Sequence, residues 1–211
     1  MKIFAINGSP KPNGNTATAM KTVLAEIEQQ GIATELVTIG QEVVRGCIGC
    51  GTCGKQQNRQ CVFDGDAVNA HLPKMIEADA ILIGSPTYYS GVNGTMKAFL
   101  DRTFYVAAAN GSLFRHKVGA AVVAVRRSGG IPTFDQLNKY WQISEMLSVG
   151  SGYWNVIHGM VPGEAPQDEE GMHVMQTLGQ NIAWLLKLIE HGKDTVKEPQ
   201  PTPKPRTNFI R

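Results

Sequence analysis

Two uninterrupted apolar segments, residues 80–84 and 118–125, constrain the fold of this chain most strongly. A strand that is apolar throughout is covered on both of its faces, as happens inside a parallel sheet flanked by helices. A shorter apolar segment covers residues 3–6, and a segment rich in β-branched residues covers residues 34–39. The sequence therefore predicts an α/β fold in which short buried strands alternate with helices.

Helical periodicity separates these strands, because apolar residues recur at intervals of three and four. The predicted helices cover about residues 17–30, 66–77, 94–109, 133–147 and 170–191, and a weak fifth strand covers residues 153–157. We expect Pro73 to bend or divide the second helix. With right-handed crossovers, this alternation describes a doubly wound sheet that carries helices on both faces.

Length and composition favour one large domain with a proper core, since the chain has 211 residues and 42% of them are hydrophobic. We assign this domain to residues 1–192 and a Pro-rich extended tail to residues 193–211, with Phe209 and Ile210 expected to dock on this subunit or a neighbour. A net charge of +2 without a basic run argues against nucleic acid or a membrane as partner. No apolar stretch reaches spanning length, and we expect a cytoplasmic protein.

The loop after the first strand is the first candidate binding element. Residues 8–16 combine glycines, hydroxyls and amides directly before a predicted helix, whose N-terminus favours an anion. Five residues separate Gly8 from Gly14, and Asn15 follows, so the lysine of a nucleoside-triphosphate loop is missing. A dinucleotide fingerprint is missing too. The remaining interpretations are a site for a single phosphate, as flavin mononucleotide (FMN) presents, and an ordinary turn capped by Asn15 or Thr16.

Three such loops should meet, because the carboxyl ends of parallel strands lie at one edge of the sheet. The candidate FMN-binding residues are Ser9, Lys11, Asn13, Asn15, Thr16 and Ala17 in the first loop, Pro86, Thr87, Tyr88 and Tyr89 in the second, and Arg127, Ser128, Gly129 and Gly130 in the third. The first loop would hold the phosphate. The second would lie against the flavin ring, and the third would approach the ring edge that carries N1 and O2. For the two tyrosines, a surface pair or a subunit contact is the alternative.

A cysteine-rich insertion, residues 46–65, carries a second candidate site. Its cysteines follow the spacing C-x2-C-x2-C-x7-C, and they are Cys47, Cys50, Cys53 and Cys61. Such compact spacing is typical of iron–sulfur ligation, whereas structural zinc more often uses two separated C-x-x-C pairs. Lys55 and Arg59 could offset the charge of a cluster. Zinc, a disulfide and free reduced thiols remain the alternatives.

Several of these segments together resemble one known family. They are Gly8-Ser9-Pro10-Lys11 with Gly14-Asn15-Thr16, then Gly84-Ser85-Pro86-Thr87-Tyr88, residues 96–102, the cysteine run and residues 127–130. The chain resembles the NADPH-dependent FMN reductase family of flavodoxin-like proteins, and within it the iron-sulfur flavoproteins. The resemblance implies a five-stranded parallel sheet, non-covalent FMN, and a homodimer or homotetramer in which a neighbour helps to cover the flavin. It also implies a [4Fe-4S] cluster on the four cysteines.

The function expected from these observations is that of an FMN-dependent oxidoreductase. It would pass electrons from NAD(P)H through FMN to a quinone, flavin, metal ion or protein acceptor. We expect no catalytic side chain, because the flavin itself carries the chemistry. The alternative is an electron carrier or redox sensor without substrate turnover, in which the cysteine loop reports oxidation.

Overall fold

The computed structural model describes residues 1–202 together with Pro205, Thr207 and Ile210. Its strands are β1 (Lys2–Asn7), β2 (Ala33–Thr38), β3 (Ala80–Tyr88), β4 (Gly91–Val92), β5 (Val118–Val125), β6 (Leu147–Ser148) and β7 (Val156–His158). Its helices are α1 (Asn15–Gln29), α2 (Thr52–Gln56), α3 (Ala67–Glu77), α4 (Gly94–Ala109), α5 (Gly130–Ile143) and α6 (Glu169–Gly192), with one 3-10 turn at Ala165–Gln167.

The parallel part of the sheet has the strand order β2, β1, β3, β5, followed by β6 and β7. β6 and β7 share the last position, because both pair in parallel with β5, one near its start and the other near its end. From β1 the chain first adds β2 on one side and then adds β3 and β5 on the other side. This is the flavodoxin-like, doubly wound order, so the predicted fold class is confirmed.

Alternate side chains of β1 enter two different apolar clusters. Ile3 and Ala5 face α1 and α6, whereas Phe4 and Ile6 face α3, α4 and α5. This period of two is the geometry of a strand, and the burial of both faces explains why the central strands are apolar at every position. The helices therefore cover the sheet on both sides, as expected.

The structure corrects several predicted bounds. The fifth strand is not one segment at residues 153–157 but the pair β6 and β7, because the glycines and serines between them interrupt the pairing. Helix α5 begins at Gly130, three residues before the predicted start at Thr133. Helix α3 continues through Pro73 without division. The short helix α2, within the cysteine-rich insertion, was not predicted.

The Pro-rich tail begins directly after α6, and residues 193–202 form neither helix nor strand. The guanidinium of Arg115 donates to the Pro199 carbonyl at 2.8 Å, so this part of the tail lies beside the turn that leads into β5. The expected docking of Phe209 falls outside the described residues, and Ile210 is exposed. Within the described ranges, no helix is both long and apolar enough to span a bilayer.

Trp141 is the largest side chain that is fully buried in the core. Its ring lies against Gly119 of β5, where an added Cβ would come within 2.9 Å of it. Replacement by alanine would leave a large cavity, so we expect Trp141→Ala to lower the free energy of unfolding by about 3–5 kcal/mol in denaturant titration. Trp184→Ala, which removes a ring that is 64% exposed, is the matched control and should change it by only about 0.5 kcal/mol. Equal losses in both variants would contradict this packing.

Asp168 caps helix α6 and should make stability depend on pH. Burial raises the pKa of this carboxyl, but hydrogen bonds from the N–H groups of Gly171 and His158 and from the His158 ring outweigh it, so the pKa lies below its ordinary value of 3.8. The charged form therefore stabilises the fold above the ordinary pKa, and this contribution is lost as pH falls through the lowered one. At neutral pH, we expect Asp168→Ala to cost about 1–2 kcal/mol of unfolding free energy.

The pH profile of unfolding is the measurement that separates the charge of Asp168 from its bulk. The difference between Asp168→Ala and the wild type should shrink as pH falls below 3.8. Asp135→Ala, which removes an exposed carboxylate from α5, serves as the control and should show a difference of only about 0.5 kcal/mol. A loss that stays constant with pH would show that the charge of Asp168 does not contribute.

Candidate functional site

The candidate site lies at the carboxyl edge of the sheet, where three strand ends are aligned. Asn7 at the end of β1 pairs with Gly84 in β3, and Gly84 pairs with Val122 in β5. The segments that follow these strands therefore leave the sheet at the same edge. We call this edge, with residues 8–17, 85–93 and 126–130, the rim.

The first rim segment folds into a tight turn by its own hydrogen bonds. The Ser9 N–H donates to Asn7 Oδ1 at 2.9 Å, and the Lys11 N–H donates to Ser9 Oγ at 3.2 Å. Gly40, after β2, packs directly against the Ser9 backbone, where an added Cβ would lie 2.2 Å from the Ser9 carbonyl carbon. The turn is therefore fixed both by its own hydrogen bonds and by its packing against Gly40.

Helix α1 begins directly after this turn, and its first backbone N–H groups are candidate donors for a ligand. Its N-cap is Gly14, which offers no side-chain cap, and the first amide that bonds back is that of Thr18, to the Gly14 carbonyl. The N–H groups of Asn15, Thr16 and Ala17 have no acceptor among the described residues. Since their first turn carries no acidic side chain either, they can hold an anion.

The side chain of Asn15 has a different role from the one its position suggests. Its amide nitrogen donates to the Val161 carbonyl at 3.0 Å, and its oxygen accepts from the Ala165 N–H at 3.1 Å. Both polar atoms therefore fasten a distant segment onto the start of α1. Only the backbone N–H of Asn15 is left for a ligand. Neither Asn15 nor Thr16 is the helix cap that the ordinary-turn interpretation required.

The second rim segment is a β-hairpin rather than a loop. β3 continues to Tyr88, and Thr87 and Tyr88 pair antiparallel with β4. The two turn residues, Tyr89 and Ser90, have φ of 50° and 58°, the left-handed combination of a type I′ hairpin turn. Such a conformation costs a non-glycine residue about 1–3 kcal/mol. It holds Tyr89, which is fully exposed, at the tip of the hairpin.

This hairpin joins the first rim segment to the third. The Asn93 side chain caps α4 and donates to the Gly8 carbonyl at 2.6 Å. On the other side, Ser90 lies against Gly129, where an added Cβ would be 2.6 Å from Ser90 Oγ. The hairpin thus contacts both of the other rim segments, as a shared ligand site requires.

One buried polar atom of the rim has no partner within the part of the chain that the structure describes. The Thr87 hydroxyl at the base of the hairpin is buried and makes no hydrogen bond. A buried hydroxyl without a partner is costly, so it points to a polar ligand atom beside it. Together with the free amides of α1, Thr87 fits a ligand that has a phosphate and a polar ring system, as FMN has.

The third rim segment lines a cavity of about 410 Å³. Arg127 and Ser128 are exposed, Gly129 adopts φ of 88°, and Gly130 is buried as the first residue of α5. Its lining includes no residue of the first or second rim segment, and it has walls that the sequence did not suggest, namely Tyr153, Trp154, His158 and Asp168.

His158 at the end of β7 is held by Asp168, because its N–H and its ring Nδ1 lie 2.7 Å and 3.2 Å from the same carboxylate oxygen. The sequence contains no motif around either residue. Only their position after a strand and before a helix could have indicated them.

The four cysteines come together around one small pocket beside α4. Cys47 and Cys50 are exposed, Cys61 is half-buried, and Cys53 is buried within α2. Burial raises the pKa of Cys53, while hydrogen bonds from Thr52 lower the pKa of Cys50. The thiols are free, so no disulfide is formed.

The donor set of this pocket suits an iron–sulfur cluster in its chemistry. Four thiols and one buried guanidinium, that of Arg102, line it together. Gly49 and Gly51 have φ of 67° and 68°, which lets the backbone turn sharply between the cysteines. Across the described residues, however, no three His, Cys, Asp or Glu side chains are arranged to hold a metal ion, so ligation needs the thiols to approach one another.

Comparison with known proteins agrees with this architecture. An iron-sulfur flavoprotein of Methanocaldococcus jannaschii is 34% identical over 197 residues, which cover 90% of this chain and all of that protein. An iron-sulfur flavoprotein of Methanosarcina thermophila is 31% identical over 196 residues, covering 92% of this chain and all of that protein.

Among solved structures, a flavodoxin from the domain Archaea superposes with a TM-score of 0.60 at 19% identity, covering 89% of this chain and 99% of that one, which supports the fold.

The sequence profile of the NADPH-dependent FMN reductase family matches residues 1–160, well over half of the chain, and these residues include all three rim segments and all four cysteines. The chain therefore belongs to the NADPH-dependent FMN reductase family, and it is a flavin-dependent oxidoreductase or electron carrier.

Proposed function

We propose that this protein is an FMN-dependent oxidoreductase that passes electrons from NADH or NADPH to a quinone, a flavin, a metal ion or a protein acceptor. The observation that carries the proposal is the set of unpaired donors at the rim. The amides of residues 15–17 and the buried Thr87 hydroxyl belong to touching segments, and none has a partner among the described residues. Family membership supplies the flavin.

The first rim segment would bind the phosphate of FMN. The amides of Asn15, Thr16 and Ala17 would donate to its oxygens, with Ser9 in the turn before α1 and Thr16 in the first turn of that helix. Lys11 is exposed at the edge of the turn and adds a positive charge. Asn13 is exposed beside it, where its side chain accepts from Lys21.

The hairpin and the third segment would hold the ring. Pro86 and Thr87 form the half-buried base of the hairpin, and Gly129 and Gly130 let Ser90 and Val156 pack closely against the third segment. Bound FMN supplies electron transfer in pairs from a nicotinamide and in pairs or singly to an acceptor. The chain itself orients the ring and excludes water from its buried edge.

The cysteine pocket supports a second candidate function, that of an electron carrier or redox sensor. The relatives that match over their whole lengths are named iron-sulfur flavoproteins, and here four thiols share one pocket. We therefore propose Cys47, Cys50, Cys53 and Cys61 as ligands of a [4Fe-4S] cluster. Assembly as a homodimer or homotetramer stays a prediction.

Placing a negative charge in the first rim segment should prevent FMN binding. A carboxylate beside the phosphate adds repulsion of about 4 kcal/mol, so we expect Ser9→Asp and Thr16→Glu to weaken FMN binding roughly a thousandfold and to purify without colour. Ala25→Glu, at an exposed position further along α1, adds the same charge as a control and should stay yellow. Stoichiometric FMN in a folded Ser9→Asp variant would show that the phosphate site is misplaced.

Turnover separates the enzyme from the carrier. We expect the FMN-loaded protein to oxidise NADH or NADPH continuously under anaerobic conditions when a soluble quinone is supplied, monitored by loss of nicotinamide absorbance. Ser9→Asp should lose this activity together with its flavin, whereas Ala25→Glu should keep both. If the flavin is reduced only slowly by both nicotinamides and chemical reductants alone drive it, the carrier function replaces the enzyme.

A further inference from the structure

Arg102 of α4 is a buried cation that neither the rim nor the core accounts for. Its side chain has no exposed surface, and it ends at the cysteine pocket rather than at the FMN site. A buried charge is costly unless it is paired and hydrogen-bonded, so the contacts of this guanidinium show what it stabilises.

The guanidinium binds four groups of the cysteine-rich insertion and its flanks. It pairs through Nη1 with the carboxylate of Asp66, and the same nitrogen lies 3.3 Å from the Arg45 carbonyl. Nη2 donates to the Phe63 carbonyl at 3.0 Å. Nε donates to the Sγ atom of Cys61 at 3.3 Å. One side chain thus fastens both ends of the insertion and one of its sulfurs to α4.

Cys61 is held through both its backbone and its sulfur, in contrast to the exposed Cys47 and Cys50. Its N–H donates to Asn69 Oδ1 at 2.8 Å, and its carbonyl accepts from Asn69 Nδ2 at 2.9 Å. With Arg102 at the sulfur, both backbone and thiol are fixed. Cys47 and Cys50 lie exposed in a glycine-rich segment that has to move for ligation.

The charge of Arg102 is placed differently from the other cations of the insertion. Lys55 and Arg59, which the sequence suggested as compensating charges, are both exposed. An exposed charge is screened by water, whereas the buried guanidinium donates a hydrogen bond directly to Cys61 Sγ, with only part of its charge offset by Asp66. Reduction adds an electron to an iron–sulfur cluster, so a positive charge at a ligand sulfur favours the reduced state and raises the potential.

We infer that Arg102 is the positioning residue of the cysteine site: it fixes Cys61 as the ligand on which the other three cysteines close around an iron–sulfur cluster, and its charge raises the reduction potential of that cluster. The inference rests on the cluster assignment in the proposed function. The guanidinium acts through Cys61 and does not itself ligate iron.

Two variants of Arg102 test this inference against one matched control. Arg102→Gln removes the charge, Arg102→Lys keeps the charge but loses the donor at Nε, and Arg59→Gln removes an exposed charge from the same insertion. Each protein is reconstituted anaerobically with iron and sulfide. Iron and sulfide per chain, loss of iron to a chelator, and the midpoint potential from a spectroscopic redox titration are then measured, with FMN content and circular dichroism as checks of folding.

We expect Arg102→Gln to bind less iron, to lose it faster to the chelator and to hold the remaining cluster at a more negative potential. Arg102→Lys should lose iron faster than the wild type but shift the potential less, and Arg59→Gln should match the wild type. A folded Arg102→Gln protein with wild-type iron content and potential would overturn the inference. If Arg102→Gln does not fold, wild-type iron retention in Arg102→Lys overturns the positioning role.

A wild-type protein that takes up no iron and sulfide would overturn the cluster assignment and this inference together. The proposed oxidoreductase would be unaffected by that result, because its FMN content and nicotinamide turnover are measured independently.

Discussion

The register of the parallel strands is the constraint on which the candidate site depends. Because Asn7, Gly84 and Val122 lie level with one another, the segments after β1, β3 and β5 begin at one edge of the sheet. The turn after β1 leads directly into α1, so the free amides of that helix point to the same edge. Loss of this register would separate the proposed phosphate donors from the hairpin and from the third segment.

The rim and the cysteine pocket differ in how firmly their residues are held in place. Short contacts fix the rim: Asn93 bonds to Gly8, Ser90 touches Gly129, and Asn15 fastens the segment that ends at Ala165. A ligand there meets a site that is already formed, which lowers the cost of binding. In the cysteine pocket, by contrast, Cys47 and Cys50 lie exposed, and the proposed cluster would have to draw them toward Cys53 and Cys61. Such a site would couple the proposed cluster binding to ordering of the insertion.

Sequence reasoning succeeded where local chemistry decides the structure and failed where distant contacts do. The apolar strands, the helix stripes and the Gly8–Thr16 turn carry their own patterns, and these were predicted. The Tyr89–Ser90 turn was missed because its left-handed angles oppose the preference of both residues. The Asn15 contacts join residues 150 positions apart, and no local pattern reports such a distance. The divided fifth strand follows from pairing with β5, which propensity alone does not reveal.

The proposed binding of the FMN phosphate by the start of α1 is tested most directly by a comparison of two flavins. Riboflavin has the same ring system as FMN but lacks the phosphate, so it cannot use the amides of residues 15–17. Titration of flavin-free protein should give stoichiometric FMN binding and riboflavin binding that is weaker by about a hundredfold or more, as the loss of several charge-assisted hydrogen bonds requires. Equal affinities for the two flavins would contradict the account.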